Sequence, residues 1–466
     1  MNKSLLIVFL MLTLNASAQY QSSNWYFGIF AGITFSTNPP TALTGGQINQ
    51  QEGCGSISDA AGNLLFYSDG QTVWDNTNSV MPNGAGLLGG GSSTQSCIVV
   101  QDPADSNRYY LITAPQELTT NPMAYSIIDM TLNGGHGDVT ATKNVTLLTN
   151  STEKLTAVYN SNGHDVWILG HEFGNNNFDA FLLTDAGISG TPVVSSVGSV
   201  HDNSNANNVI GYMKASPCAN KLAVALWSAD YLELFDFDNS TGIVSHPVML
   251  GTPVPGASSG VYGLEFSPDD SKLYASVITP GVVVQYDLNA GSDSAIIASI
   301  LQVGTSPVNF DGALQTGPDA RMYLVKYGSG TLDCITNPNN AGLSCNYLQD
   351  FVSLGSGIGQ LGLPDFFSSF FCRIEGVQQI ARENAISVFP NPASESIHIS
   401  LDNSIIGSGF SLRILNALGQ CVYSSELKSS KAVNDFELDL NGWSKGIYFM
   451  DLKSGTKSFS EKFVRL

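Results

Sequence analysis

Ser216-Pro217-Cys218-Ala219-Asn220-Lys221-Leu222, Ser267-Pro268-Asp269-Asp270-Ser271-Lys272-Leu273 and Gly317-Pro318-Asp319-Ala320-Arg321-Met322 are three copies of one unit. In each, a small residue and a proline open a tight turn, a basic residue closes it, and an apolar strand follows. The prolines lie 51 and 50 residues apart. Downstream, an aromatic or apolar strand ends each time in an Asp/Asn-rich turn closed by glycine: Phe235 to Gly242, Tyr286 to Gly291, and Asp333 to Gly342. Those glycines recur at 49 and 51 residues, so two independent markers keep one period. Looser copies of the first turn stand upstream at Asp59 to Tyr67, Asp105 to Leu111 and Asn160 to Trp167.

A repeat of about fifty residues, all strand and turn, has the length of a propeller blade. One such sheet has too little core to stand alone. Stacked radially, neighbouring sheets bury each other's faces and leave only short edges. Asn24 to Phe371 has room for about seven blades at this period. Trp25-Tyr26-Phe27 and Leu361-Gly362-Leu363-Pro364-Asp365-Phe366-Phe367 are expected to share the closing blade. A pair of β-sandwiches is the alternative, but it requires no long-range period.

Composition agrees: 47 glycines and only 12% charged residues suit short strands and tight turns. Charge is unevenly spread, with eight acids and eight bases from Ala385 to the end and 31 acids against 10 bases between Gln19 and Asn384. A net −21 on that body repels phosphate backbones and anionic lipid, which argues against nucleic acid or direct membrane binding. Seven cysteines show neither CxxC nor Cys/His zinc spacing, so no metal or cofactor is expected. Cys334 and Cys345 are close enough in sequence to be considered as a local bridge.

Lys3, the apolar run Leu5 to Leu14 and the small residues Ala16-Ser17-Ala18 have the form of a secretory signal, with cleavage expected between Ala18 and Gln19. A run of this length is too short to span a bilayer, and no later segment is long and apolar enough. Beyond Cys372 to Ala385, read as a connector, a new pattern begins. Ser396-Ile397-His398-Ile399-Ser400-Leu401 alternates as a half-buried strand, and further strands are expected at 412–420, 436–440 and 457–466. The domains are therefore expected as signal 1–18, propeller 19–371, linker 372–385 and a small β-sandwich 386–466.

Two resemblances extend this reading. Asn24-Trp25-Tyr26-Phe27-Gly28, Glu52-Gly53-Cys54-Gly55, Met81-Pro82-Asn83-Gly84 and Ser93-Thr94-Gln95-Ser96 resemble secreted WD40/YVTN-like propellers often joined to gliding or adhesion machinery. At the other end, Pro390-Asn391-Pro392-Ala393, Asn416-Ala417-Leu418-Gly419-Gln420, Trp443-Ser444-Lys445-Gly446-Ile447-Tyr448 and Lys462-Phe463-Val464-Arg465 closely resemble the type A C-terminal sorting domain of type IX secretion. That resemblance implies export from a Gram-negative bacterium to the surface or medium, with the type IX machinery as partner. It points to Pro390, Asn391, Pro392, Gly419, Gly446, Tyr448 and Lys462 as the motif residues.

Apparent catalytic motifs fail on context. Gly256-Ala257-Ser258-Ser259-Gly260 fits G-x-S-x-G but precedes a strand where a nucleophile elbow opens a helix. Gly357-Ile358-Gly359-Gln360-Leu361-Gly362 fits G-x-G-x-x-G, yet Pro364 stands where the phosphate-binding helix would begin. Ser68 to Trp74 is a shortened Asp-box, a structural turn. His164 and His171, seven apart on an expected strand, face opposite sides. Asp236 to Gly242 resembles a calcium loop, but the same turn recurs at Tyr286 to Gly291 without its second aspartate, which favours an Asx-stabilised hairpin. Among Glu52, Asp59 and Asp69, no pair stands out as acid and base. The expected function is that of a non-catalytic surface or secreted adhesion module with a glycan or surface-protein ligand; the alternative is a glycan-active hydrolase using carboxylates on the propeller face.

Overall fold

The computed structural model describes residues 18–117, 119, 121–202, 208–254, 259–306, 310–372, 386–401, 410–416, 420–427, 435–454 and 457–466. They fall into two compact units, one within residues 1–374 and the other within 375–466.

The first unit is a seven-bladed β-propeller. Six antiparallel sheets of four or five strands follow one another over residues 55–85, 97–148, 151–196, 213–251, 259–305 and 311–353, here blades 1 to 6. The inner strands Gly55–Ser58, Cys97–Asp102, Ser151–Tyr159, Met213–Ala215, Ser259–Phe266 and Asp311–Thr316 neighbour one another in that order. Blade 7 closes the ring from both ends of the sequence. Its outer strands Asn24–Phe27, Ala31–Thr34 and Thr41–Ala42 come first in the chain, and residues 358–365 supply the inner edge. There Ile29 bridges Ile358, the Ala313 amide donates to Leu361 O at 2.7 Å, and the Leu361 and Asp365 amides donate to Gln51 O and Cys54 O, both at 2.8 Å. The closing segment thereby ties blade 6 to blade 1.

The recurring turn has one geometry. The first residue's amide donates to the carbonyl that closes the turn, from Ser216 to Lys221 and from Ser267 to Lys272 at 2.9 Å, and from Gly317 to Arg321 at 2.8 Å. Ala219, Asp270 and Ala320 hold its left-handed corner at φ 62, 58 and 63. Upstream copies place Gly62 and Gly163 at that corner. Cross-strand partners Lys221 and Asp236, then Lys272 and Asp287, repeat an ion pair at 2.5 and 3.1 Å in successive blades.

The G-x-G-x-x-G match falls in this closing segment, which opens no α-helix; the next helical turn is the short 3-10 turn Ser368–Phe371. A Cβ on Gly357 would lie 2.4 Å from Ala31 Cα, and one on Gly362 would lie 2.0 Å from Glu52 O. These glycines let backbones meet; they cradle no phosphate. Beyond Asp365 the aromatics Phe366, Phe367, Phe370 and Phe371 are buried across the end of the ring opposite the starts of the inner strands. Phe366 packs on Trp25 with ring centroids 5.7 Å apart, and Phe367 on Tyr159 at 4.5 Å. Cys372 then forms a disulfide with Cys218, in the first turn of blade 4. This corrects the sequence reading, because Cys334 and Cys345 are both free and buried in different packing clusters. Nearness in sequence was a poor guide where the chain returns to its own start.

The second unit packs two antiparallel sheets. One joins Ile386–Phe389, Ser396–Leu401 and Asp435–Asp439; the other runs Cys421–Leu427, Phe410–Asn416, Gly446–Ser454 and Lys457–Arg465 in spatial order. Ile397, Ile399, Leu412, Ile414, Tyr448, Met450 and Phe463 form its core. The alternation read from Ile397-His398-Ile399 is realised as buried, exposed, buried.

Candidate functional site

The propeller axis is filled by polar side chains from five blades. Lys214 of blade 4 places Nζ 3.0 Å from Asp365 Oδ1, 2.9 Å from Gln315 Oε1 and 3.7 Å from Glu265 Oε2. From blade 2, Gln95 donates to Asp365 Oδ1 at 3.3 Å and accepts from the Met213 amide at 2.7 Å. All five side chains are buried. Burial alone would lower the Lys214 pKa, but Asp365 and Glu265 outweigh it and hold it raised. Burial pushes the Glu265 carboxyl up to about 7 against the pull of Lys214, and raises Asp365 as well.

Toward the mouth, where the inner strands begin, the Lys214 ammonium lies 5.3 Å from the Tyr212 ring centroid, and Tyr212 meets Tyr262 edge-on at 5.5 Å. Tyr262 donates to Glu52 Oε1 at 3.0 Å, and Ser92 donates to Oε2 at 2.9 Å. Burial first, then the charge of Glu153, pushes Glu52 up to about 8. Glu153 is raised to about 7 by burial, opposed by its donors. Its Oε2 accepts from the Thr94 amide and hydroxyl at 2.8 and 2.7 Å, and its Oε1 from the Glu117 amide at 2.8 Å. The next residue, Lys154, points into the interface with blade 4, where Nζ donates to Ile210 O, Gly211 O and Ala225 O at 3.1, 2.9 and 2.8 Å. Three carbonyls match the three donors of an ammonium, so the charged form is the one these contacts select, although burial drags its pKa down to about 7.

Of the three acids singled out in sequence, only Glu52 belongs to this constellation. Asp59 lies in an exposed turn at the far end of blade 1, where it caps Ala61 and Asn63; Asp69 caps Gln71 and Thr72. The Asp-box stretch is thus a structural turn. His164 sits in the turn before its strand and bonds Asp185 at 2.7 Å, whereas His171 is buried and stacked on His201 with centroids 3.6 Å apart. Asp238 caps Ser240, and Asp236 pairs with Lys221 and His246, as a hairpin turn requires. Residues 256–258 of the G-x-S-x-G match lie outside the described residues. Among the described residues no three His, Cys, Asp or Glu side chains group to hold a metal.

Sequence reasoning missed Glu153, Lys154, Lys214, Glu265 and Asp365. A signal existed: Lys214, Glu265 and Gln315 each stand two residues before the repeated turn, at Ser216, Ser267 and Gly317. A long polar residue at the same position, two before the turn, in three successive inner strands marks the axis.

In the second unit Asn391, Gly446, Tyr448 and Lys462, far apart in sequence, meet at the last strand. Asn391 donates from Nδ2 to Lys462 O at 2.9 Å and accepts the Val464 amide on Oδ1 at 3.0 Å, locking the Pro390-Asn391-Pro392 entry onto that strand. Tyr448 stacks on Phe463 at 5.4 Å and donates to Ser444 O at 2.6 Å, below the turn at Gly446. Asn416, Val422, Trp443, Lys445 and Ile447 are among the residues lining a cavity of about 420 Å³ beside it. The Lys462 side chain is exposed. Gly419 lies outside the described residues, as do residues 1–17 of the stretch read as a signal; Ala18 and Gln19 open a short 3-10 turn, Ala18–Ser22.

Residues 387–465 match the family described as the secretion system C-terminal sorting domain. The chain is thus carried by type IX secretion, and it is secreted or attached at the outer-membrane surface. Among the described residues no helix is long and apolar enough to cross a membrane. No curated protein matches the chain in sequence. Among solved structures it is similar to a putative 6-phosphogluconolactonase from Bacteroides uniformis, at 14% identity over 83% of this chain and 98% of that one, TM-score 0.38. It is also similar to the periplasmic gluconolactonase of Pseudomonas aeruginosa, at 13% identity over 79% and 94%, TM-score 0.38. A quinonprotein alcohol dehydrogenase-like protein from Bacteroides thetaiotaomicron aligns at 10% identity over 73% and 77%, TM-score 0.39. Likenesses this distant transfer no chemistry to this chain.

Proposed function

We propose that the propeller is a non-catalytic binding and adhesion module, made with a signal peptide cleaved between Ala18 and Gln19 and exported by the sorting domain. In this reading residues 19–371 are the cargo body, 372–385 the linker, and 386–466 the segment engaged by the secretion machinery through its Pro390 to Pro392, Gly419, Gly446, Tyr448 and Lys462 motifs. The observation that carries the reading is the state of the mouth carboxylates. Both oxygens of Glu52 and both of Glu153 already accept hydrogen bonds from the protein. A general acid or base needs an oxygen within reach of substrate. Here those oxygens fasten blades 1, 2, 3 and 5 to one another.

One observation favours the hydrolase alternative: Glu52, pushed up to about 8, holds a proton at neutral pH beside a second carboxyl. The test is incubation of the exported protein with a polysaccharide panel, scoring retention on the polymer and release of reducing ends separately. Retention without release is expected. Release that disappears in Glu52→Gln would establish the hydrolase. For the sorting role, deletion of 386–466 is expected to trap the chain in the periplasm, and surface delivery without it would refute the assignment.

A further inference from the structure

Four backbone segments lie side by side at the mouth end of the closing blade: Gln47-Ile48-Asn49-Gln50-Gln51, Gly28-Ile29-Phe30, Gly357-Ile358-Gly359 and Tyr327-Gly328-Ser329. Hydrogen bonds stitch them in that order. The Phe30 amide donates to Ile48 O at 2.8 Å and the Gln50 amide to Gly28 O at 2.9 Å. Ile29 and Ile358 exchange both bonds at 2.9 and 3.0 Å, and Gly359 and the 328–329 turn exchange theirs at 2.7 and 2.9 Å. With neighbouring backbones ~4.8 Å apart, the set forms a surface about 15 Å across.

Its side chains share one chemistry. Phe30, Tyr327 and Ile358 are 51%, 43% and 38% exposed, and the Phe310 ring supports Tyr327 at a centroid distance of 5.2 Å. Gln47, Asn49 and Gln51 alternate outward and expose three amides. None of the four segments contains an Asp, Glu, Lys, Arg or His. Phe30 is also in the left-handed region, at φ 52. That conformation costs a non-glycine residue roughly 1 kcal/mol, and a ring left 51% exposed recovers only part of what full burial would return. Glycine or asparagine would hold the same turn without either cost. Strain kept at an exposed aromatic is a signature of a binding surface.

We propose that this surface binds a neutral glycan chain, with the Phe30 and Tyr327 rings lying against the apolar faces of successive sugars and the Asn49 and Gln51 amides bonding their hydroxyls. This rests on the binding-module reading and gives it a face and a ligand class. Aromatic rings supply rigid contact area, and an amide offers a donor and an acceptor side by side, as a hydroxyl pair requires. A surface without cations in a body of net −21 repels an acidic polymer, and one without carboxylates gives a cationic polymer no specific partner.

The test uses the full exported chain in pull-downs on insoluble cellulose, chitin and starch, with cross-linked alginate as the acidic polymer. Phe30→Asn and Tyr327→Ser are compared with Leu343→Asn, which alters a 74% exposed leucine away from this surface. Wild type and Leu343→Asn are expected to be retained on at least one neutral polymer, and each surface variant at least tenfold less. Phe30→Asn tolerates the left-handed turn, so its melting temperature should equal or exceed that of wild type; weaker binding then reports the lost ring. Unchanged retention of both variants would overturn the assigned face while leaving a binding module. Retention on alginate alone would overturn the ligand class, and no retention on any polymer would overturn the glycan assignment. Release of reducing ends would refute the non-catalytic reading itself.

Discussion

Lys214 Nζ and Asp365 Oδ1 lie 3.0 Å apart on the propeller axis, both buried, one from blade 4 and the other from the segment that closes the ring. The pair joins the middle of the sequence to its far end. Glu265 stands beside it, 3.7 Å from the same ammonium. Removing the cation strands two carboxyls in the interior, so Lys214→Met should cost about 3–5 kcal/mol in urea denaturation at pH 7.5. Protonation relieves stranded carboxyls, so the loss should shrink toward pH 5. A loss that does not vary with pH would show that the ammonium matters only through packing.

Lys154 gives a second, independent case. Its three carbonyl acceptors come from the approach to blade 4 and from the blade's second strand. Lys154→Met leaves Gly211 O and Ala225 O buried without the ammonium, at ~1–3 kcal/mol each where water cannot reach them, while Ile210 O keeps the Trp227 amide at 3.3 Å. A fall of at least ~2 kcal/mol in unfolding free energy is expected. Lys221→Met is the control: its pair with Asp236 is half-exposed, and such pairs contribute about 0–1 kcal/mol. Equal losses in the two variants would mean that the Lys154 contacts are not formed in solution.

The ring was legible in the sequence because its repeats are enforced locally. A proline-opened turn with a left-handed corner must be written into the residues, and Ala219, Asp270 and Ala320 recur at one place in it. The closing blade was legible too, since Trp25-Tyr26-Phe27 and the Leu361 to Phe367 segment are apolar stretches flanking the repeats. What fills the axis was legible only in part, through Lys214, Glu265 and Gln315 at one repeat position. Gln95, Lys214, Glu265, Gln315 and Asp365 meet because closure brings five blades to one line, and a spacing of 270 residues between Gln95 and Asp365 carries no local mark. The Cys218–Cys372 disulfide was hidden for the same reason. The sorting unit was read by resemblance, and its Asn391 contacts to the last strand required coordinates.

Burial sets opposite pH dependences at two places. Glu52 is pushed up to about 8, above its unfolded value near 4.5, so the folded state holds the extra proton and stability falls as pH rises from about 4.5 to 8. Glu52→Gln mimics the protonated carboxyl. Its stability relative to wild type should therefore be near zero at pH 5 and should gain more than ~1 kcal/mol by pH 8.5 in matched urea titrations. A difference that stays flat across that range would place the charge elsewhere.

His171 and His201 act with the reverse sign. Their rings stack with centroids 3.6 Å apart in the interface between blades 3 and 4; burial lowers His171 to about 3, and burial together with its neighbour lowers His201 still more clearly. Both stay neutral in the fold while the unfolded chain takes protons near pH 6.5, so the stability they permit is present above that value and lost below it. His201→Phe should flatten the decline between pH 6.5 and 4.5, read from melting temperatures over that range. A steeper decline in the variant would contradict a neutral pair.

The disulfide provides the last test, since it fastens the aromatic plug to blade 4 across a sequence separation of 154 residues. Releasing it frees Phe370 and Phe371 to leave Phe366 and Phe367, and frees the closing segment that contributes Asp365 to the axis. A cross-link closing so long a loop contributes about 2–5 kcal/mol. Reductant should therefore lower the melting temperature of wild type, and Cys218→Ala with Cys372→Ala should melt at the reduced temperature with or without reductant. Cys334→Ala with Cys345→Ala should keep the full reductant effect, because those thiols are buried in separate clusters. Peptide mapping without reduction is expected to join 218 to 372; a peptide joining 334 to 345 would restore the local bridge, and absence of the 218–372 peptide would refute the one described here.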